Sequence, residues 1–193
     1  MTHTAGPGEV ATFWLGQNEK VWFSADPAFD AEVLSRFAEL VERAKSGVLD
    51  HWADTAEGAL ALVILLDQMT RNIYRDSPEM FAADGMALKV AKRAIERGFD
   101  QELPKGKRRW LYMPFMHSED LADQERSVEL FTRSEISESV SFAVDHADIV
   151  RRFGRFPHRN AILGRQTTPE EAVFLAGGGF SGVTPEGPAE RQH

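Results

Sequence analysis

Residues 55–74 read "TAEGALALVILLDQMTRNIY", a segment whose apolar residues recur with the spacing of an α-helix. One apolar stripe consists of Leu62, Leu66, Met69 and Ile73, and a second consists of Leu60, Val63, Ile64 and Tyr74. At the start of the segment, Asp54 and Glu57 stand three residues apart, the spacing of a capping box. We therefore predict a helix over 55–74 that begins at this cap.

Two charged residues lie inside the second stripe. At about 100° per residue, Asp67 and Arg71 fall within about 40° of each other, and their i,i+4 spacing allows an ion pair. Charged groups flanked by Leu and Ile are rarely left unpaired. Two interpretations are open: a structural ion pair that locks two helices, or a pocket in which Asp67, Arg71 and Asn72 face a ligand.

Helix signals recur along the rest of the chain, whereas alternating strand patterns are nearly absent. We predict an all-α fold of antiparallel helical hairpins, with a flexible N-terminus over 1–8, one helical domain over 9–176 and a flexible Gly/Pro-rich tail over 177–193. Among the other predicted helices, the first begins at Asp26-Pro27 and ends near Ser46, and the second runs from Ser77-Pro78 to Gly98. A third begins at Pro104 and is interrupted at Pro114, and a fourth runs from a Ser118 cap to Arg133. The last three cover 137–153, cover 157–163, and run from a Thr168 capping box to near Ala176.

The composition excludes several classes of protein. The 193 residues include no Cys, so disulfides, thiol nucleophiles and thiolate metal sites are ruled out. The formal net charge of -8 disfavours a nucleic-acid partner, which needs a broad basic face. The longest apolar run, 59–66, is far shorter than the roughly 20 residues of a membrane helix, and the N-terminus does not resemble a secretory signal. We expect a soluble, cytoplasmic protein with no membrane partner.

One short stretch is strongly basic. Residues 151–165, "RRFGRFPHRNAILGR", contain five Arg and one His but no acid. Gly154 and Pro157 predict a tight corner in the chain over 154–157. A helix that begins near Pro157 would direct free N–H groups toward this corner, which Arg155, His158, Arg159 and Asn160 surround. This arrangement predicts an anion site. The alternative is that these side chains clamp the corner by binding carbonyl groups and acids elsewhere in the chain.

Three further positions are candidates for the site. His117 lies beside Glu119 at a helix start and could form an acid/base pair with it, or simply bond a carbonyl group. His146 lies in the apolar stripe of helix 137–153, where a structural role is the alternative to a ligand role. Arg126 follows polar residues on an inward-facing turn of helix 118–133.

On helix 137–153, Asp148 and Arg152 have the i,i+4 spacing of a surface ion pair.

Long segments of the chain closely resemble a bacterial family catalogued as domain of unknown function nine-two-four. They are "LLDQMTRNIYRDSPEMFAADGMALKVAKRAI" (65–95), "YMPFMHSEDLADQERSVELF" (112–131) and "HADIVRRFGRFPHRNAILGRQTTPEEAVFL" (146–175). The resemblance implies tetratricopeptide-like helical hairpins in a right-handed bundle and no established activity. The candidate residues match the family motifs, namely Asp67, Arg71, Asn72, His117, Ser118, Glu119, Arg126, His146, Arg155, Pro157, His158, Arg159 and Asn160.

The main functional hypothesis is a polar pocket for a small anionic molecule, either a carboxylate or a phosphate ester. Arg71, Arg155 and Arg159 would supply positive charge, while Asn72 and Asn160 would orient the ligand. His117 with Glu119, or His158, would carry protons if the protein is an enzyme, a question that the sequence leaves open.

Two alternatives stay open. The first is a scaffold that binds a protein or peptide partner. The second is a metal-dependent hydrolase that uses His117, His146 and His158, although no His pair at i,i+4 spacing exists. We predict neither a metal nor a cofactor.

Overall fold

The computed structural model describes residues 5–22, 24–134 and 136–179, and the predictions for 1–4 and 180–193 lie outside these ranges. Every regular element described is helical, which confirms the all-α prediction. The α-helices are α1 (Pro7–Leu15), α2 (Glu19–Trp22), α3 (Pro27–Lys45), α4 (Ala56–Val63), α5 (Thr70–Ile73), α6 (Asp84–Glu96), α7 (Phe99–Glu102), α8 (Lys105–Met116), α9 (Leu121–Arg133), α10 (Ser137–Phe153) and α11 (Pro169–Ala176). 3-10 helices cover Asp50–Asp54, Pro78–Phe81 and Pro157–Arg159, and a π-helical segment covers Ile64–Met69.

The predicted helix over 55–74 forms as a continuous rod of α4, the π-helical segment and α5. It begins at Thr55 and not at the predicted Asp54, because the Thr55 hydroxyl accepts the N–H of Gly58. Asp54 instead forms ion pairs with Arg93 and Arg97. Every residue over 58–70 is buried, and the rod therefore passes through the interior of the protein.

The surrounding helices pack directly on this rod. α1, α6 and α8 contact α4, while α3 contacts the π-helical segment and α5. Large aromatic side chains fill the spaces between them; Trp14 and Trp110, for example, meet edge to face with ring centroids 5.7 Å apart. Because these helices surround the rod and its residues are buried, the rod is the centre of the hydrophobic core.

In the C-terminal half, α9 packs against both of its neighbours in the chain, α8 and α10. The short connection over 117–120 makes α8 and α9 a helical hairpin. The predicted interruption at Pro114 is wrong, because α8 continues through Pro114 and ends at Met116. The finer tetratricopeptide-like, right-handed arrangement stays a prediction.

Several helix boundaries differ from those predicted. α9 is capped by Asp120 and not by Ser118, because the Asp120 carboxylate accepts the N–H groups of Ala122 and Asp123. The predicted helix from Ser77 to Gly98 is divided into the 3-10 helix Pro78–Phe81 and α6. The predicted helix over 157–163 is only a three-residue 3-10 helix. A turn that short has no N-terminal row of free amides, so this part of the predicted anion site is wrong.

Other boundaries are confirmed. α3 is capped by Asp26, and α10 ends at Gly154, whose φ of 69° is the left-handed conformation that favours glycine. The capping box at α11 forms in full, with Thr168 accepting the Glu171 N–H and Glu171 accepting the Thr168 N–H. Within the described residues, no helix is both long and apolar enough to cross a membrane.

Candidate functional site

A fully buried carboxylate, Asp67, is the starting point of a polar cluster between the helices. The π-helical segment, which is wider than an α-helix, carries Asp67 into the interior. Nδ1 of His117 lies 2.7 Å from an Asp67 carboxylate oxygen. A guanidinium nitrogen of Arg71 lies 3.5 Å from the same oxygen and forms the predicted i,i+4 ion pair. Burial alone would raise the pKa of Asp67, but His117 and Arg71 outweigh it and hold the pKa below its ordinary value. Asp67 is therefore an anion.

A second acid, Asp84, joins two arginines that are far apart in the chain. It is the first residue of α6 and lies 3.1 Å from Arg71 and 3.4 Å from Arg159. Burial raises the pKa of Asp84 above its ordinary value, although both guanidinium groups act in the opposite direction. The cluster thus links Asp67, Arg71, Asp84 and Arg159, and Arg159 also donates to the main-chain carbonyl of His117 at 3.0 Å.

Arg159 is the least compensated charge of this cluster. Its side chain is only 9% exposed, and its contact with Asp84 is long for a charge-assisted hydrogen bond. Its guanidinium lies between the rings of Phe81 and Phe156, 4.5 and 4.7 Å from their centroids. Nε has no hydrogen-bond partner in the described parts of the chain. Burial lowers the pKa of Arg159 to about 10, still high enough to keep it charged at neutral pH.

The cluster borders a cleft of about 340 Å³. Three of the predicted site residues line it, namely His117, Glu119 and Arg159, together with the family-matched Ser118. Its other lining residues are Pro78, Phe81, Ala82, Asp84, Gly85, Leu88, Pro114 and Leu163. The volume lies at the lower end of the range found for small-molecule sites, and the lining combines polar and apolar groups.

The predicted pairing of His117 with Glu119 is wrong. His117 instead pairs with Asp67, which the sequence places in a different helix. Glu119 accepts the N–H of Phe156 at 2.8 Å and binds Arg165 through both carboxylate oxygens, at 2.8 and 3.1 Å. Burial raises the pKa of Glu119, but Arg165 and the Phe156 N–H outweigh it and lower the pKa overall. Glu119 therefore ties the 117–119 turn to the Arg-rich corner.

The two other candidate histidines are held without charge by their surroundings. His146 is buried beside His117 and Phe156, with ring centroids 6.4 and 5.5 Å away, and bonds the Phe142 carbonyl. Burial lowers its pKa to about 3. Burial, together with Arg159, lowers the pKa of His158 to about 4. Both imidazoles are consequently neutral at physiological pH.

Other predicted site residues lie away from the cleft. Arg155 binds Glu171 in α11 through two nitrogens, and Asn160 donates to the same carboxylate at 3.2 Å. The hydrogen bonds from Arg155 hold the pKa of Glu171 at about 2. These contacts are the corner clamp that the sequence analysis offered as the alternative to an anion site.

Asn72 and Arg126 are also separate from the cleft. Asn72 donates to Asp30 of α3 at 2.8 Å. Arg126 pairs with Glu129 and lines a second cleft of about 420 Å³, together with Arg108, Tyr112 and Arg133. The predicted surface pair of Asp148 with Arg152 is wrong, because Asp148 binds Arg151 and Arg152 binds Glu170.

A metal site is not assembled in residues 5–22, 24–134 and 136–179, where no three His, Asp or Glu side chains are grouped to hold an ion. The hydrolase hypothesis uses His117, His146 and His158. The ring of His117 lies near that of His146, and the rings of His146 and His158 both lie near that of Phe156. His117 is engaged with Asp67 and His146 with a carbonyl group. The metal-dependent alternative therefore receives no support from this geometry.

Sequence reasoning missed Asp84, Phe81 and Arg165. Asp84 was placed inside a longer helix, although an acid in the first turn is a known sign of a helix start. Phe81 reads as an ordinary core residue. Arg165 belongs to the basic stretch, but nothing in the sequence connects it with Glu119, 46 positions earlier.

The family model described as "Bacterial protein of unknown function (DUF924)" matches residues 10–179. The chain belongs to this family. A solved structure of a protein of unknown function from Agrobacterium tumefaciens is 42% identical, covers 88% of this chain and 96% of its own, and has a TM-score of 0.84. No curated protein matches the sequence. DUF924 membership thus confirms the resemblance and brings no activity with it.

Proposed function

We propose that the cleft beside Arg159 binds a small anionic ligand. The observation that supports this is the buried guanidinium of Arg159, with its long contact to Asp84 and an Nε that has no partner in the described residues. A buried charge that is poorly compensated costs stability. A ligand carboxylate or phosphate that reaches the guanidinium from the cleft would supply a second counter-charge, so its binding is favourable at this position.

Within the same proposal, His117 is the proton carrier. An ionised carboxylate only accepts hydrogen bonds, so Nδ1 of His117 must hold the proton that it shares with Asp67. An imidazole whose orientation is fixed by a buried carboxylate is suited to proton transfer through its other ring nitrogen, Nε2. Glu119 receives no such role here, because Arg165 and Phe156 already occupy its oxygens.

Thermal unfolding with a panel of anions tests the binding proposal. Acetate, succinate, citrate and inorganic phosphate are the probes, and we expect at least one to raise the Tm of the wild type. A ligand at 100 times its Kd stabilises by about 2.7 kcal/mol, and about 2–4 °C per kcal/mol is usual for a chain of this size. Arg159→Gln should abolish the shift, and Arg159→Lys should keep part of it.

The matched control is Arg152→Gln, which removes an exposed guanidinium from the same basic stretch. This variant should respond to the anion as the wild type does. The proposal fails if no anion raises the Tm of the wild type. It also fails if Arg159→Gln and Arg152→Gln shift by equal amounts.

The protein-binding scaffold remains the alternative function. It predicts a stable partner in pull-down experiments together with no response to any anion. Such a result would leave the buried charges as structural ties between helices.

A further inference from the structure

We propose that the ligand of this cleft is an amphipathic carboxylic acid, whose carboxylate competes with Asp84 for Arg159 and whose apolar chain lies against Phe81 and Leu88. The inference rests on the proposed function, since it names the class of anion that the cleft selects. It concerns the shape of the ligand as well as its charge.

The lining of the cleft is uneven, with polar groups and apolar groups from different residues. The charged and polar groups come from Asp84, Arg159 and the 117–119 turn. The apolar lining consists of Pro78, Phe81, Leu88, Pro114 and Leu163. A strongly hydrated ligand such as citrate would leave this apolar surface poorly covered, whereas an alkyl chain would remove it from water. Charge and apolar surface in one cleft therefore favour an amphipathic ligand.

Phe81 connects the polar and the apolar parts of the cleft. Its ring lies 4.5 Å from the Arg159 guanidinium and 5.8 Å from that of Arg71. The same residue lines the cleft. A carboxylate bound to Arg159 thus has an aromatic surface beside its first carbon atoms, which is where a chain begins.

The cleft already contains a carboxylate of the protein, that of Asp84. Asp84 is 16% exposed and serves two guanidinium groups, Arg71 at 3.1 Å and Arg159 at 3.4 Å. The stronger contact is with Arg71, so Arg159 is the group that an incoming carboxylate can take over. A single guanidinium with only a long contact to Asp84 suits a monoanion, because a second ligand carboxylate would meet Asp84 or Glu119.

Calorimetric titration with a homologous series tests the inference. Butyrate, hexanoate and octanoate are the probes, and each added methylene should tighten Kd by up to about fourfold, which corresponds to ~0.8 kcal/mol per buried CH₂. Adipate has the length of hexanoate but a second carboxylate, and it should bind at least tenfold more weakly. Hexylamine should not bind. Tighter binding of hexylamine than of hexanoate would overturn the inference, because the acidic side chains of the cleft, and not Arg159, would then recognise the ligand.

Two variants locate the two halves of the ligand. Leu88→Ala should reduce the factor by which each added methylene tightens Kd. Leu34→Ala, which shortens an exposed leucine, should leave that factor unchanged. Asp84→Asn should tighten the Kd of hexanoate by about tenfold, because the competing carboxylate is lost. Equal gains per methylene in both leucine variants, or a weaker hexanoate complex in Asp84→Asn, would contradict the inference.

The outcomes separate this inference from the proposed function. If succinate or phosphate stabilises the protein through Arg159 but Kd does not change with chain length, the amphipathic ligand is wrong and anion binding stands. If neither the anion panel nor the alkyl series binds, both proposals fall.

Discussion

At the scale of single residues, the protein places opposite charges next to one another inside a hydrophobic core. Asp67 has no exposed surface and is held by His117 and Arg71. Asp84 holds Arg71 and Arg159. Buried ions are costly unless each one is paired, and this explains why the two acids and the two guanidinium groups form one connected set.

Replacing Asp67 by Asn should destabilise the protein strongly. The neutral amide removes the buried carboxylate that holds His117 and Arg71, although Arg71 keeps its contact with Asp84, and removal of one partner from a buried pair costs about 3–5 kcal/mol. The free energy of unfolding from urea denaturation is the measurement. Asp148→Asn is the control, because this acid is 65% exposed and should change that free energy by less than about 0.5 kcal/mol. Similar small losses in both variants would show that Asp67 is not an essential ion.

The buried His146 makes stability depend on pH. Its pKa is about 3 in the folded protein because burial disfavours the imidazolium, whereas an unfolded histidine has a pKa near 6.5. Below about pH 6.5 the unfolded chain therefore binds more protons at this position, and the free energy of unfolding falls as the pH falls toward 3. The slope from this group approaches about 1.4 kcal/mol per pH unit.

His146→Gln removes this contribution, so its free energy of unfolding should fall less steeply than that of the wild type between pH 6 and 4.5. Urea denaturation at several pH values measures the slope. His51→Gln, which changes an exposed histidine, is the control and should follow the wild type. Parallel curves for wild type and His146→Gln would contradict the account of a buried neutral imidazole.

The sequence could predict some of these residue contacts and not others. The pair of Asp67 and Arg71 was predictable, because i,i+4 spacing within one helix brings two side chains together in any context. The contact of Arg159 with Asp84 joins residues 75 positions apart, and only the tertiary fold brings them together. The role of Asp67 as the partner of His117 was hidden for the same reason.

At the scale of elements, the central rod depends on the conformation at its start. The turn from the 3-10 helix Asp50–Asp54 into α4 is tight, and a Cβ on Gly58 would lie 2.0 Å from the Trp52 carbonyl oxygen. Such a contact is too short for any side chain, so the backbone would have to move. Glycine is therefore required at this position for steric reasons.

Gly58→Ala should lower the free energy of unfolding by more than about 2 kcal/mol, because overpacking would displace the start of α4. Gly106→Ala in α8 is the matched control, since nothing lies within 4 Å of its added Cβ. The control should be neutral or stabilised by up to about 1 kcal/mol through better helix propensity. Chemical denaturation gives both values, and a Gly58→Ala protein as stable as the wild type would show that the turn relaxes easily.

Element boundaries were predictable where one signal dominated. Asp26 followed by proline marked the start of α3, and the capping box marked that of α11. Where two capping residues stand side by side, as with Asp54 and Thr55, the sequence does not show which one will accept the free N–H. The π-helical segment has no sequence signal either, since its apolar residues fit an ordinary helix equally well.

At the scale of the whole molecule, the cleft is assembled from three distant segments. Residues of 78–88, 114–119 and 159–163 line it, and the buried rod supplies Asp67 and Arg71 behind it. The composition predicts an acidic protein with net charge -8, yet the cleft contains a buried cation. The basic stretch predicts Arg159 as part of an anion site, but its burial beside Asp84 and Phe81 arises from tertiary packing, which the composition does not show.

The central claim is that an anion completes the surroundings of Arg159. The most direct test is to follow the side-chain Nε–H signal of Arg159 in proton–nitrogen correlation spectra while hexanoate is added, with the signal assigned by its loss in Arg159→Lys. We predict that this signal moves and saturates at the Kd found by calorimetry, while the Nε–H signal of Arg155, which is bound to Glu171, stays in place. An Arg159 signal that does not move at saturating hexanoate would contradict the claim.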